Sequence, residues 1–332
     1  IATYDNKEVS IPLLKNQMGA STTQKVIGSV QHLEYSFSDA FNKITKAKQK
    51  KVAIIKGNGE LKEAFIAKFL LQVRDSYFIA PFTLDSVAKN PEGSLQALKE
   101  YDLAVIAKPS EAFSESEKQV LDQYLMNGGK TIWLVDQVVA EIDSLYNPSG
   151  ASLAYPRDLN INDLFFKYGI RINPDIVKDE QGSPIQLASG EPGSATRFQQ
   201  VKWKYAPLVT PISTHPIVKN LGGIKFDFAN SIDTLKNSIK KTVLLQSSPY
   251  SKRVGTPTAI NLSMVSETTS PADYPNTGGI PLAVLLEGSF HSAFENRIKA
   301  FEQTNFQSTS KPTKMIVISD GDILRNQLDK NQ

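Results

Sequence analysis

The sequence has no cysteine among its 332 residues. Without thiols the chain cannot form a disulfide bond, use a cysteine nucleophile or bind zinc through thiolates. It also has no run approaching the ~18 consecutive apolar residues that a membrane-spanning helix needs. Because a chain without cysteine is compatible with an oxidising compartment and with the cytoplasm, composition leaves the compartment open.

Charge of one sign is not in excess either. The 37 Lys and Arg residues are balanced by 34 Asp and Glu, which leaves a net charge of +3, and the basic residues are scattered along the chain. Because a phosphate-tracking surface needs clustered basic residues, nucleic acid is not an expected partner. Hydrophobic residues make up 40% of the chain, enough for a substantial core in one large or two intimate domains.

Histidine is scarce, with three residues that lie far apart in the sequence, His32, His215 and His291. They lack the spacing of a metal-binding motif, and the sequence has no G-x-S-x-G nucleophile elbow. We therefore expect structural roles for these histidines, and neither a cofactor nor a resident metal ion.

Residues 1–50 are predicted to form a strand segment and a long amphipathic helix. Ser21-Thr22-Thr23 is a favourable helix start. Apolar residues then recur every three or four positions, which places them in one stripe along the helix: Val26, Val30, Leu33, Phe37, Phe41 and Ile44. This stripe either packs on the domain or mediates self-association.

A regular alternation of strand and helix patterns occupies residues 51–160. Short apolar runs at 51–55, 77–84, 103–107 and 131–135 are typical of buried strands. Ser114 and Glu117 have the spacing of a capping box that opens a helix. Strands joined by helices run parallel through right-handed crossovers. We therefore predict an α/β fold with a Rossmann-like, layered and mostly parallel sheet.

Residues 161–332 are predicted to form a second α/β portion that is richer in strands and loops. The stretches 182–196 and 247–279 are rich in Gly, Ser, Thr and Pro and are typical of long loops. Loops of this length are usually functional or mobile. Met315 to Ile318 is typical of a C-terminal strand, which we expect to rejoin the 51–160 core, and a helix is predicted from Ile323.

A Gly57-Asn58-Gly59-Glu60 turn follows the first strand of that core and precedes a helix. Backbone N–H groups at such a turn can bind an anion, as in dinucleotide-binding proteins. The dinucleotide motif needs a third glycine where this chain has Lys62. A tight strand-to-helix turn is therefore the preferred interpretation over nucleotide binding.

Carboxylates follow two other strands, Asp136 after one and Asp320 and Asp322 after the C-terminal one. Two acids one residue apart can share Mg²⁺ or Ca²⁺, but this stretch supplies too few oxygen ligands, so capping of the next helix is the preferred interpretation. Ligand crevices in such folds lie at the carboxyl ends of strands. The candidate ligand-binding residues are therefore expected at that edge: Gly57, Asn58, Gly59, Glu60, Asp136, Asp320 and Asp322.

Six short segments spread over nearly the whole chain carry a family resemblance: Ile27 to Tyr35, Gly57 to Glu60, Ala107 to Pro109, Asp122 to Lys130, Trp133 to Asp136 and Ser319 to Asn326. Together they resemble the auxiliary components of bacterial gliding-motility ABC transporters, the GldG family. The sheet of that family is similar to the amidotransferase-like class of domains, but a cysteine nucleophile cannot operate here. The family usually has a histidine between the two glycines of the turn, where this chain has Asn58.

The resemblance implies a protein of the bacterial inner membrane whose large soluble domain faces the periplasm, with membrane helices outside these 332 residues. Its partners would be ABC permease and ATPase subunits, in the context of gliding motility and type 9 secretion. The resemblance carries no catalytic residues over to this chain.

These patterns favour a non-catalytic periplasmic accessory or scaffold domain of a gliding-motility ABC transporter complex. A periplasmic ligand-binding module for a glycan, peptide or lipid fragment is the first alternative, with the long loops as a mouth at the strand ends. A metal-assisted hydrolase built on Asp136, Asp320 and Asp322 is the second.

Overall fold

The computed structural model describes residues 1–15, 21–189, 197–219, 221–274 and 278–326. A small hairpin and a long helix come first: β1 (Ala2–Tyr4), β2 (Lys7–Val9) and α1 (Thr22–Thr45). The helix begins where its sequence signal predicts. Ser21 and Gln24 form a reciprocal capping box, because each side chain accepts a hydrogen bond from the other's backbone N–H.

The face that α1 buries differs from its apolar stripe. The buried residues are Ser29, Ser36, Ala40 and Ile44. Of the six stripe positions, Ile44 is buried and Leu33 is half-buried, whereas four are exposed: Val26, Val30, Phe37 and Phe41. Most of the stripe is therefore not covered by the described residues.

The predicted alternation of strands and helices is present in the next segment. In chain order it contains β3 (Lys51–Lys56), α2 (Ala67–Ser76), β4 (Phe78–Thr83), α3 (Pro91–Leu98), β5 (Leu103–Ala107), α4 (Glu115–Met126) and β6 (Lys130–Leu134). Ser114 and Glu117 form the predicted capping box at the start of α4.

The remaining segment is rich in short strands. It contains β7 (Val138–Val139), β8 (Ala151–Pro156), α5 (Asn162–Tyr168), β9 (Ile170–Ile172), β10 (Asp175–Asp179), β11 (Gly182–Ser189), β12 (Arg197–Val209), β13 (Ile224–Lys225), β14 (Ile232–Thr234), β15 (Lys240–Gln246), β16 (Ser251–Gly255), β17 (Thr258–Asn261), β18 (Pro281–Gly288) and β19 (Thr313–Ile318). Short 3-10 helices lie at Glu63–Ile66, Ile142–Leu145, Leu262–Ser266, Pro271–Asp273 and Asp322–Leu324.

A seven-stranded sheet with the order β15-β18-β19-β6-β5-β3-β4 forms the centre of the molecule. The five strands from β19 to β4 are parallel, and β15, β18 and β19 pair antiparallel. Smaller antiparallel sheets accompany it among the described residues: β1 with β2, β9 with β14, β10 with β16, β11 with β12 and β13, and β7 with β8 and β17. The mixed α/β class with a mostly parallel central sheet is confirmed, and the Rossmann-like and amidotransferase-like descriptions stay predictions.

The two stretches with loop-like composition contain regular structure. Residues 182–189 form β11, which pairs with β12 in an antiparallel hairpin. The prediction was wrong here because Gly, Ser and Pro dominate the composition, while the alternation that buries Ile185 and Trp203 is spread over both strands. Within 247–279 lie β16, β17 and two 3-10 helices. Residues 190–196 and 275–277 lie outside the described residues.

The end of the chain also differs from its prediction. A single 3-10 turn, Asp322–Leu324, stands where a helix from Ile323 was expected. Residues 327–332 lie outside the described residues. β19 pairs in parallel with β6, with Met315 opposite Thr131, so the last strand is an interior strand of the central sheet.

Candidate functional site at the carboxyl ends of the parallel strands

Four neighbouring parallel strands end along one edge of the central sheet. Across that edge, β19 is followed by Asp320 and Asp322, β6 by Asp136, β5 by Lys108, and β3 by the Gly57–Glu60 turn. The seven candidate residues therefore share one edge, but they form two groups that lie on opposite sides of the end of β5.

Lys108 lies at the centre of the first group. Its Nζ is 3.4 Å from Asp136 Oδ2 and 2.6 Å from Glu141 Oε1, and it donates to Asp322. The lysine backbone has a φ of 55°, in the left-handed region, directly before Pro109. Such a conformation costs about 1–3 kcal/mol and persists only where the surroundings hold it. The backbone N–H of Lys108 donates to the Leu134 carbonyl at 2.9 Å, and the three ionic contacts fix the end of its side chain.

Burial and charge oppose each other in this group. Burial lowers the pKa of Lys108, but the attraction of Asp136, Asp322 and Glu141 outweighs it and holds the pKa above its usual range. Burial raises the pKa of Asp136 to about 6, against the attraction of Lys108. Burial and nearby carboxylates raise the pKa of Asp320 well above its usual range. The lysine therefore stays charged, whereas both buried aspartates take up protons more readily than aspartates in water.

The buried aspartates also accept hydrogen bonds from the backbone. Gly321 donates its N–H to Asp136 at 2.6 Å. Asp320 accepts from the N–H of Asp227 at 2.8 Å and from that of Asp322 at 2.7 Å. Asp320 thus accepts the N–H of Asp322, the first residue of the last 3-10 turn, through a local bond two residues along the chain, while Gly321 is the N-cap.

Position 321 must be glycine because the side chains of Lys108 and Asp136 lie too close for a Cβ atom. Its φ of −75° is ordinary. A Cβ at this position would lie 2.4 Å from Lys108 Cγ and 3.0 Å from Asp136 Oδ2. The end of β19 can therefore meet the lysine only without a side chain.

The carboxylates of Asp136, Glu141 and Asp322 lie within 4.8 Å of one another, close enough to share a cation. The Lys108 ammonium group contacts all three. Arg325 adds a second positive charge, 3.4 Å from Asp322 and 3.6 Å from Glu141. An internal cation thus takes the position that a divalent metal would need, and these residues do not fit a metal centre.

The second group is built on the Gly57–Glu60 turn, where both glycines have positive φ, 123° and 71°. The Asn58 carbonyl accepts from the N–H groups of Ser110 and Glu111, at 2.9 and 3.0 Å. The Asn58 side chain donates to Glu117 at 3.2 Å. The turn is therefore tied to the loop between β5 and α4.

An internal anion occupies this turn. The Glu60 carboxylate accepts the N–H of Asn58 at 2.9 Å. Burial raises the pKa of Glu60, and hydrogen bonds from the turn's own backbone N–H groups oppose that rise. A phosphate would have to displace this carboxylate, so the geometry favours the tight-turn interpretation over nucleotide binding.

Four buried polar atoms near this edge have no hydrogen-bond partner: Asn58 Oδ1, Glu60 Oε1, Gln137 Oε1 and Arg157 Nε. They are half of the eight such side-chain atoms among the described residues. Arg157 and Gln137 belong to the same edge, since Arg157 donates to the Ser110 carbonyl and Gln137 donates to the Arg157 carbonyl. Each buried unpaired polar group costs about 1–3 kcal/mol, so a ligand that paired them would gain affinity.

The sequence analysis did not identify three charged residues that complete the first group, namely Lys108, Glu141 and Arg325. For Lys108 a signal exists, because a lysine follows directly on the buried run Leu103–Ala107. Its ammonium group meets Asp322 across 214 positions of sequence, which no local pattern predicts. None of the three histidines contacts either group through a hydrogen bond or ion pair among the described residues.

Among the described helices there is no candidate for a membrane-spanning segment. Residues 49–332 match the family model for ABC-transporter auxiliary proteins, described as an ABC-type uncharacterized transport system. An uncharacterized protein of Borreliella burgdorferi is 22% identical over 275 residues, which cover 82% of this chain and 51% of that protein. The chain thus spans about half the length of this curated relative. The mmIFT52 N-terminal domain is similar in structure, with 14% sequence identity, a TM-score of 0.46 and coverage of 84% of this chain and 89% of that one.

Proposed function

Because this chain belongs to the auxiliary family of ABC-type transport systems, we propose that it is a non-catalytic accessory domain that holds parts of a transport complex together. Family membership implies an accessory role in a transport system. The observation that carries the proposal further is the strand-end edge. There an internal cation, Lys108, and an internal anion, Glu60, stand where α/β enzymes bind metals and phosphates.

The carboxylates at this edge are poorly placed for acid–base chemistry. A general acid or base must reach the proton that it transfers. Asp136 and Asp320 are buried, at 6% and 1% exposure, and are engaged by backbone N–H groups. The metal-assisted hydrolase built on Asp136, Asp320 and Asp322 is therefore the weaker hypothesis.

The resemblance supports the finer parts of the proposal. We propose that the partners are ABC permease and ATPase subunits, that the domain lies at the periplasmic face of a bacterial inner membrane, and that the transporter serves gliding motility. Membrane helices would belong to parts of the protein outside these residues.

Co-purification tests this function directly. The full-length protein is expected to elute with its permease and ATPase subunits from detergent-solubilised membranes, and to lose the ATPase when the permease is omitted. The isolated chain is expected to show no hydrolysis of ATP or of ester and phosphodiester substrates, with or without Mg²⁺. Failure to associate in membranes that contain all three proteins would contradict the proposal.

A second candidate function rests on the four unpaired polar atoms. Three are acceptors and one is a donor, which fits a neutral ligand with several hydroxyl groups, such as a glycan fragment, better than a phosphate. A neutral oligosaccharide present at 100 times its Kd is expected to stabilise the protein by about 2.7 kcal/mol. Gln137→Leu should reduce the thermal shift. Gln303→Leu should leave it unchanged, because Gln303 also has an unpaired Oε1 but its amide nitrogen donates to Gln123 and to the Asn305 carbonyl, not to this edge.

A further inference from the structure

The exposed apolar side chains of the α1 stripe lie along one side of the helix. Val26, Val30, Phe37 and Phe41 are 50%, 61%, 39% and 51% exposed. At 3.6 residues per turn, these four positions fall within a sector of about 60° on the helix. The rings of Phe37 and Phe41 are 6.1 Å apart, so they form one patch. Ile27, which is 53% exposed, extends it on one side.

The order of these residues is symmetric along the helix. Positions 26 and 41, and positions 30 and 37, are equidistant from the midpoint between Leu33 and Glu34. An antiparallel copy of the same helix, related by a two-fold axis at that midpoint, would place Val26 opposite Phe41 and Val30 opposite Phe37. Each contact would then pair a small side chain with a large one, which allows interdigitation.

We propose that α1 pairs antiparallel with α1 of a second copy of this chain. Isologous two-fold dimers are the commonest assemblies of identical chains, and they need a self-complementary surface of this kind. α1 precedes residues 49–332, which match the family model. The surface thus lies outside the residues that the family model matches, and a measurement of dimerisation does not depend on the proposed accessory function.

The residues beside the stripe favour protein over lipid as the occupant. The exposed flank carries Glu34, Ser38 and Gln31, with no lysine or arginine. A helix that lies in a membrane surface carries basic residues beside its apolar face. Packing against a protein surface of matching shape does not need basic residues beside the apolar face.

The size of the patch predicts the strength of the dimer. The exposed apolar side chains present on the order of 400 Å² per copy, a patch size that is often functional. A stable interface buries about 800 Å² per partner. The polar flank must therefore contribute, and we expect a dimer with a Kd in the micromolar range or weaker.

The position of Glu34 predicts how this dimer responds to salt. Two copies of Glu34 would lie on the same flank beside the axis, where like charges repel through water. Salt screens such exposed charges over about 10 Å at 0.1 M. Dimerisation should therefore strengthen with salt, and Glu34→Gln should tighten it at low salt.

Sedimentation velocity over a concentration series tests the pairing. The chain is expected to shift from monomer to dimer, and Val30→Asp or Phe37→Asp should weaken the dimer at least tenfold. Leu71→Asp is the matched control, since Leu71 of α2 is 54% exposed outside the stripe. Circular dichroism of each variant checks that it is folded. A chain that stays monomeric at every concentration, or that loses its dimer equally with Leu71→Asp, overturns the proposal.

Crosslinking tests the geometry separately, because the chain has no cysteine and any introduced one is unique. For helices about 9 Å apart, the Cα atoms of the two Glu34 residues would be about 6 Å apart, within disulfide range. Glu34→Cys should form disulfide dimers at least ten times faster than Tyr35→Cys, whose position is 61% exposed on another face. Equal rates, or binding of the stripe to neutral phosphatidylcholine vesicles in place of dimerisation, would refute the antiparallel pair.

Discussion

Replacing Lys108 with methionine removes the internal cation and leaves its three carboxylate partners together. Methionine has a similar length and keeps a side chain at the left-handed backbone position, so the change is mainly one of charge. Asp136 would lose the buried cation that it contacts, and the described residues offer it no other ion pair. Arg325 remains near Asp322 and Glu141, at 3.4 and 3.6 Å, and compensates in part.

Removing one partner of a buried ion pair costs about 3–5 kcal/mol. Glu141 is one-third exposed and keeps an arginine partner, so its share of that loss is screened. Asp136 can also take up a proton, since its pKa stands at about 6 even with Lys108 present. We therefore expect Lys108→Met to lower the free energy of unfolding by about 3 kcal/mol at pH 8, the lower end of that range.

The loss of stability caused by Lys108→Met should change with pH in a definite direction. A carboxyl group whose pKa is raised on folding contributes stability below its unfolded pKa, and loses it as the pH rises through the folded pKa. Loss of Lys108 raises the pKa of Asp136 further, above the present value of about 6. The difference between the variant and the wild type should therefore be small near pH 5 and grow toward pH 8.

Urea denaturation at pH 5 and pH 8 measures both quantities. The double variant Lys108→Met with Asp136→Asn should regain part of the loss at pH 8, because one buried charge is gone. Calcium should raise the melting temperature of Lys108→Met but not of the wild type, since the ammonium group that contacts all three carboxylates is then absent. A loss below about 1 kcal/mol, the level of a surface ion pair, or an equal loss at both pH values, would refute the internal-cation interpretation.

Three further variants test other parts of the structure by urea denaturation. Gly321→Ala should cost about 1–3 kcal/mol through overpacking, whereas Gly255→Ala, whose added methyl would meet nothing within 4 Å, should cost little. Asp122→Ala should cost about 3 kcal/mol or more, because the buried carboxylate accepts hydrogen bonds from four different residues. Asp143→Ala, at an exposed position, is its control. Glu60→Gln should become relatively more stable than wild type as the pH rises, since burial raises the pKa of Glu60.

Local patterns predicted much of the secondary structure around the site. The apolar runs that became β3, β5 and β6 and the capping box at Ser114 depend on neighbours within a few residues. Their alternation also predicts a mostly parallel sheet, because a helix between two strands returns the chain to the end of the sheet where the first strand began. Composition failed for β11, whose glycine and serine content concealed a strand that pairs with β12.

The exposed α1 stripe shows a different limit of sequence patterns. Apolar periodicity predicts that one face of a helix is buried against something, but it does not identify the surface that buries it. In the structure the helix buries Ser29, Ser36 and Ala40, and leaves Val30 and Phe41 to solvent. Only the packing of the domain decides which face meets it.

At the strand-end edge, too, some features could be predicted from the sequence and others depended on the tertiary structure. From the sequence alone, a glycine turn and three aspartates could be assigned to strand ends, because strand ends follow from short-range pattern. Tertiary structure decided that Lys108 lies among those carboxylates and that Glu60 fills its own turn. The physical reason is that these contacts join residues far apart in the sequence. β19 lies beside β6 although more than 180 residues separate their ends. The order of the strands in the sheet therefore determines which charged residues meet.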